Sequence, residues 1–246
     1  MIRISSMVIL LWAFWLPAYA VTCEKTVFDD QRYTICQADP RTETFELFLR
    51  DGEGQIYGQF SNIDRALAAE GRQLVFAMNA GMYHDDRSPV GHYIEDGQEI
   101  MRVIPNAGPG NFGLLPNGIL CLQQGRADVF ETTAYLEQRP ACKDATQSGP
   151  MLVINGALHP KFLESSTSTF IRNGVGTSAD GARIVFAISD EPVNFHSFGR
   201  LFRDRLETPN ALFFDGNISR LYAADLGRRD FGFSLGPIIG IVEAIQ

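Results

Sequence analysis

Leu74-Val75-Phe76-Ala77-Met78-Asn79-Ala80-Gly81 and Ala211-Leu212-Phe213-Phe214-Asp215-Gly216 are two short apolar runs, each ending on a polar residue close to a glycine. Runs of this length bounded by turn residues read as strands covered on both faces, and such a strand can hold the polar group at its end rigidly. Each follows a helical pattern. The first spans Asn62 to Glu70, with Ser61 and Asp64 at capping-box spacing and Gly71 as its stop. The second spans Val193 to Leu206, where Phe195, Phe198, Phe202 and Leu206 form an apolar stripe suited to a core contact.

Outward from these runs, Asp51-Gly52, Asp96-Gly97, Asn117-Gly118, Asn155-Gly156 and Asp180-Gly181 each separate strand-like segments and read as hairpin turns. The expectation is an α+β fold: a mixed β-sheet with several hairpins packed on two main helices, in a single domain. No Pro/Ser-rich linker or charge run divides residues 21–246.

Residues 1–20 read as a signal peptide, with Arg3 followed by the unbroken apolar stretch Met7 to Leu16 and the small-x-small pattern Ala18-Tyr19-Ala20. Ten apolar residues fall short of the roughly 20 that cross a bilayer. An exported protein, periplasmic or secreted, with no stable membrane insertion after cleavage is expected. The apolar run Phe231 to Val242 is too short and glycine-rich to span.

All four cysteines lie beyond the leader as two sequence-near pairs, Cys23 with Cys36 and Cys121 with Cys142. Three connectivities are formally open, and disulfides between the near neighbours are expected in an oxidising compartment. No Cys-x-x-Cys occurs and the histidines are scattered, so zinc is not indicated. The formal net charge of −8 argues against nonspecific nucleic-acid binding, while a local basic pocket for an anion remains compatible with it.

Four polar clusters close apolar runs: Asn79-Ala80-Gly81, Gln147-Ser148-Gly149-Pro150, Arg172-Asn173-Gly174-Val175-Gly176 and Asp215-Gly216-Asn217. Each pairs a hydrogen-bonding or charged side chain with glycine, which lets backbone and ligand approach closely. Together they read as one pocket for a polar, anionic small substrate. Taken singly, Asp215-Gly216 is also an ordinary tight turn, and Arg172 a surface cation paired with a carboxylate. Ser148 lacks a nucleophile elbow, and His84-Asp85-Asp86 reads as a solvated loop at the rim rather than a metal site.

Phe76-Ala77-Met78-Asn79-Ala80-Gly81-Met82-Tyr83, Gly110-Asn111-Phe112-Gly113, Gln147-Ser148-Gly149-Pro150-Met151-Leu152, Arg172-Asn173-Gly174-Val175-Gly176 and Asn210-Ala211-Leu212-Phe213-Phe214-Asp215-Gly216 occur in this order. In them the chain resembles the phosphodiester glycosidase family from about Leu74 to Val242. The family's last motif usually reads Asp-Gly-Gly-x-Ser-Ser, and here Asn217 and Arg220 replace its second glycine and last serine.

The resemblance implies cleavage between a sugar's anomeric carbon and a phosphodiester oxygen. It makes Arg172 the phosphate clamp, helped by backbone amides at Gly174 and Gly176, and Asp215 the carboxylate at the anomeric carbon. Glu191 is a second carboxylate able to donate a proton, or alternatively a cap of the following helix. Asn79 and Gln147 orient sugar hydroxyls or an acetamido group, with Ser148, Gly81, Gly149 and Gly216 completing the binding set. No cofactor is implied, a divalent cation being left open. The partner expected is a sugar-phosphate or glycan substrate. Rival readings are a noncatalytic glycan-binding module, and a phosphodiesterase or glycosyl transferase using the same pocket.

Overall fold

The computed structural model describes residues 21–215 and 218–245. The leader, Gly216 and Asn217 lie outside the described residues. The chain opens with β1 (Val21–Phe28), β2 (Gln31–Ala38) and β3 (Thr44–Phe48), then α1 (Phe60–Ala69), β4 (Arg72–Asn79), β5 (Tyr93–Glu95) and β6 (Gln98–Met101). After a 3-10 turn at Gly110–Gly113 come β7 (Gly118–Gln123), β8 (Arg126–Glu131), α2 (Thr132–Gln138), β9 (Asp144–Ser148), β10 (Met151–Ile154) and β11 (Ala157–Leu158). Then follow β12 (Asn173–Thr177), β13 (Ile184–Ser189), α3 (Phe195–Arg200) continuing as a π-helical turn (Leu201–Arg205), β14 (Asn210–Asp215), β15 (Leu221–Ala223), β16 (Arg228–Arg229) and β17 (Ile238–Ala244).

These strands make three sheets, ordered β1-β2-β13-β12-β14-β10-β11, β16-β15-β4-β17-β3 and β6-β5-β9-β7-β8. The α+β expectation holds. Where a mixed sheet was expected, the pairings of the described strands are antiparallel.

The inner faces of all three sheets share one apolar core, in which Phe76 and Met78 of β4 meet Phe186 of β13, Leu212 and Phe214 of β14, and Leu120 of β7. Each sheet also carries a helix on its outer face. Phe198 and Phe202 of the α3 segment pack on Phe213, Val185 and Leu152, while Phe60, Ile63 and Leu67 of α1 pack on Leu74, Ala77 and Ile238. Tyr135 of α2 packs on Ile119 and Ala145. Thus β4 and β14 are covered on both sides, which is why their sequences show unbroken apolar runs rather than alternation. Burying each of their large side chains contributes roughly 1.5–3 kcal/mol.

Both expected helices form, with changed ends. The first begins at Phe60, so Ser61 lies inside it and makes no cap; Asp64 instead accepts from Leu74 N at 3.2 Å, tying helix to strand. The second begins at Phe195 with Asn194 Oδ1 accepting from Ser197 N, 2.9 Å. Its stripe is buried as expected at Phe198, Phe202 and Leu206, and partly at Phe195. The third helix, α2, was not expected; seven residues capped by Glu131 are too few for a periodic signal.

Asp96-Gly97 and Asn155-Gly156 are two-residue turns with both residues at positive φ, matching the twist of antiparallel strands. Asp180-Gly181 joins β12 to β13. Asn117-Gly118 is a correction: Asn117 is buried, Gly118 starts β7, and the turn between β7 and β8 falls at Gln124-Gly125. A side chain on Gly118 would run into Met151 and the Phe130 carbonyl. Asp51-Gly52 closes a single bridge, Arg50 to Ile56, rather than a strand pair, with Asp51 Oδ1 accepting from Glu53 N and Gln55 N.

Both neighbouring cysteine pairs are bridged, Cys23 to Cys36 and Cys121 to Cys142. The first links directly opposed residues of the β1–β2 hairpin at the edge of its sheet. Replacing Cys23 and Cys36 together by alanine is expected to lower the unfolding free energy by about 2–4 kcal/mol in urea titrations, through entropy returned to the unfolded chain.

Glu95, at the end of β5, is pushed up to about 7 mainly by burial, with Asp144 and Asp96 adding repulsion and the bond from Tyr93 opposing the rise. A carboxyl that holds its proton more tightly when folded stabilises fully below its unfolded value. That contribution is lost as pH rises from about 4.5 through 7. Glu95→Gln is therefore expected to flatten this decline and to be more stable than the parent at pH 8 by on the order of 1–2 kcal/mol, measured by thermal unfolding against pH.

Candidate active site

Asn79 ends β4 and Asp215 ends β14, on two different sheets, and Asn173 at the start of β12 joins them. Asn79 Oδ1 accepts from Asn173 Nδ2 at 3.0 Å and from Arg220 N at 2.9 Å. Asn173 Oδ1 in turn accepts from Asp215 N at 3.1 Å and Ser219 Oγ at 3.3 Å. Asn79 and Asn173 are fully buried, so these amides work where a lost hydrogen bond is costly. Further bonds brace the same strand ends: Ser148 Oγ donates to Phe214 O at 2.7 Å, and Thr146 Oγ1 donates to Ala80 O at 2.7 Å.

Above this junction opens a cleft of about 660 Å³. Asp215 and Ile218 line one part of it. The segment after β4 supplies Met82, Tyr83, His84, Asp85, Arg87 and Val90, and the 3-10 turn supplies Pro109, Gly110, Asn111 and Phe112. The phenol of Tyr83 is pushed up by burial and then by the nearby negative charge of Asp215, so it is a neutral donor at physiological pH. Arg87 holds a positive-φ backbone, stacks its guanidinium 5.3 Å from the Tyr83 ring centre and donates to Asp85 O at 2.7 Å.

Other residues expected at the site lie around this cleft rather than on it. Arg172 precedes Asn173 on extended backbone, so its side chain turns to the opposite face, toward α3. There its guanidinium lies 3.6 Å from the Phe195 ring centre, Nε donates to Val193 O at 2.8 Å and Nη2 to Ser168 O at 3.0 Å. Desolvation lowers its pKa to about 10. Gln147 is absorbed by the fold: Oε1 accepts from His92 N and Ile104 N, and Nε2 donates to Ile104 O and Thr132 Oγ1.

Gly174, Gly176 and Gly149 allow close packing. A Cβ on Gly174 would sit 2.6 Å from Leu212 O, one on Gly176 2.4 Å from Thr208 Oγ1, and one on Gly149 2.0 Å from Asn117 Oδ1. Gly81 packs beside Thr146 Oγ1. Glu191 bonds Arg32, through its backbone N at 2.8 Å and its Nη2 at 3.1 Å, on the far side of β13 and β12 from β14. Glu191 does not line the cleft, and β12 lies between the strand it follows and β14.

Several buried polar atoms of this region find no protein acceptor among the described residues: Asn79 Nδ2, Arg87 Nε, Arg172 Nη1 and Arg220 Nη2. All are donors. Arg220 is 4% exposed, donates Nη1 to Gln59 Oε1 at 2.9 Å, and has its pKa lowered by desolvation. Arg87, Asn111, Phe112, Tyr83 and Arg220 were not among the site residues expected from sequence. The motifs containing 82–83 and 110–113 were the available signal; Arg87 sits in a loop with no pattern of its own. Among the described residues, no three His, Cys, Asp or Glu side chains are grouped to hold a metal ion.

The phosphodiester glycosidase family model matches residues 72–234, which contain the whole junction and cleft. The uncharacterized protein YigE of Escherichia coli (strain K12) is 31% identical over 212 residues, 84% of this chain and 81% of YigE. Among solved structures, the zebrafish N-acetylglucosamine-1-phosphodiester alpha-N-acetylglucosaminidase catalytic domain, auto-inhibited by its pro-peptide, superposes with a TM-score of 0.61 at 14% identity, over 90% of this chain and 81% of that one. A hypothetical protein from Synechocystis gives 0.60 at 12% identity, over 91% of this chain and 62% of its own. With the motifs in order and the model spanning both β4 and β14, the chain belongs to the phosphodiester glycosidase family.

Proposed function

We propose that this protein is an exported hydrolase that cleaves a sugar-1-phosphodiester between the anomeric carbon and the phosphate oxygen. The observation that carries the reading is the cleft that holds Asp215 together with unmet buried donors, Arg87 Nε in its lining and Asn79 Nδ2 and Arg220 Nη2 in the bonded junction behind it. Such donors stabilise a ligand rich in acceptor oxygens, as a phosphorylated sugar is, and leaving them unmet costs each about 1–3 kcal/mol. The two disulfides fit an oxidising compartment, in keeping with a cleaved leader.

In this reading the phosphodiester oxygens lie against the Arg87 guanidinium at the cleft wall, and the sugar lies over the Asn79–Asn173 junction. As the C1–O bond breaks, the electron pair leaves with the phosphate and positive charge develops at C1, which the Asp215 carboxylate stabilises. Water then bonds to C1 and releases its proton to Asp215. A phosphate monoester leaves without prior protonation, so the distance of Glu191 is no obstacle.

The test is turnover of a panel of sugar-1-phosphodiesters by the mature, oxidised protein in ¹⁸O-labelled water. Label in the free sugar and none in the phosphate product is the expected result. Label in phosphate would assign the chemistry to phosphorus, and binding without product would make the protein a glycan-binding module.

A further inference from the structure

The segment 230–237 borders the cleft and carries the most exposed aromatics among the described residues, Phe231 at 92% and Phe233 at 79%. Its backbone is pinned. Gln59 Nε2 donates to Gly232 O at 2.9 Å, Leu235 N donates to Gly58 O at 2.8 Å, and Tyr83 OH donates to Ser234 O at 3.3 Å. The Tyr83 ring of the cleft wall packs so closely on Gly236 that a Cβ there would lie 2.5 Å from it, and the Arg220 guanidinium underlies Gly232. Two bare phenyl rings are therefore presented from a braced loop, one hydrogen bond away from a cleft residue.

We infer that Phe231 and Phe233 form a stacking platform for a second sugar ring, so that the substrate is a glycan extending beyond the sugar-phosphodiester held in the cleft. This rests on the proposed reading of the cleft. A pyranose ring has an apolar face of C–H bonds and a hydroxylated rim. The platform offers exposed phenyl rings from Phe231 and Phe233 for that face, with the half-buried Ser234 next in the chain to meet a hydroxyl. A pinned platform loses little entropy on binding. A lipid surface fits less well: beside the loop Arg228 is paired with Asp190 and Asp230, Arg220 is buried and Arg229 stacks on Tyr222, leaving little free positive charge to draw an anionic bilayer to a chain of net charge −8.

Two arms test it on the mature oxidised protein with Phe231→Ala/Phe233→Ala. In the first, a methyl sugar-1-phosphodiester is compared with one whose phosphate or sugar is linked to an oligosaccharide. The double variant is expected to raise KM at least tenfold for the extended substrate, with kcat and the short substrate unchanged. Equal effects on both substrates, or none, overturn the platform.

The second arm needs no turnover: saturation-transfer NMR with chitotetraose, cellotetraose and maltotetraose. Ring-proton signals from at least one that fall severalfold in the double variant support the inference even if no phosphodiester is cleaved, in which case it is the reading of the cleft that fails. No transfer to any of the three, or transfer that the double variant leaves unchanged, overturns it. So does wild-type co-sedimentation with phosphatidylglycerol vesicles that the variant loses, the mark of a membrane anchor.

Discussion

Asp215→Asn is expected to lower kcat on a sugar-1-phosphodiester by about 10²–10⁴, with KM changed less than about threefold. Asparagine has nearly the same shape, and the backbone bond from Asp215 N to Asn173 Oδ1 does not depend on the side chain's charge. In the proposed reading, what disappears is the negative charge facing the anomeric carbon and the acceptor for the proton of attacking water. Steady-state kinetics together with calorimetric binding of a non-cleavable analogue separate these effects. Unchanged kcat would reduce Asp215 to the residue of a tight turn and remove the carboxylate from the mechanism.

Arg172→Met tests the phosphate clamp expected from sequence, and neither stability nor activity is expected to move far. An arginine 1% exposed, with no carboxylate partner among the described residues and an unmet Nη1, holds a costly charge in the interior. Methionine fills the volume of the stem against Phe195. Val193 O keeps its bond from Phe170 N, and Ser168 O, on an exposed residue, can take water. Removing a lone buried charge in favour of an apolar side chain is then neutral or stabilising, a change within about 1 kcal/mol in urea unfolding. Activity is expected to stay within about threefold, because the guanidinium packs under α3 and does not line the cleft; a fall of about 100-fold would instead bring it to the phosphate oxygens. Full activity in the methionine variant would leave Arg87 as the phosphate ligand and Arg172 as packing against α3.

The family and the principal strands were legible because their signals are local. An apolar run closed by Asn79 or Asp215 is what double coverage of a strand requires, and the Asp96-Gly97 and Asn155-Gly156 turns satisfy a backbone rule written in two residues. The cysteine pairs followed from nearness in sequence. Asn117-Gly118 obeys the same turn rule yet begins a strand, since Gly118 is needed there for the close approach of Met151 and Phe130. Tertiary packing outweighed the dipeptide's preference.

The site divides along the same line. That the ends of β4, β12 and β14 meet could be read from four polar clusters, each closing an apolar run. Which of their side chains reach the cleft depends on strand alternation and on the sheet or helix lying opposite, contacts made by residues far apart in the chain. Asn173 and Arg172 are neighbours, yet one joins the two sheets and the other turns toward Phe195. Gln147, with the same amide chemistry as Asn79, is consumed by His92, Ile104 and Thr132. Composition and order thus specified the chemistry of the groups and the strands that bear them, whereas their direction and remaining hydrogen-bonding capacity were settled by long-range packing, because burial makes an unmet polar group costly and packing decides which groups find a partner.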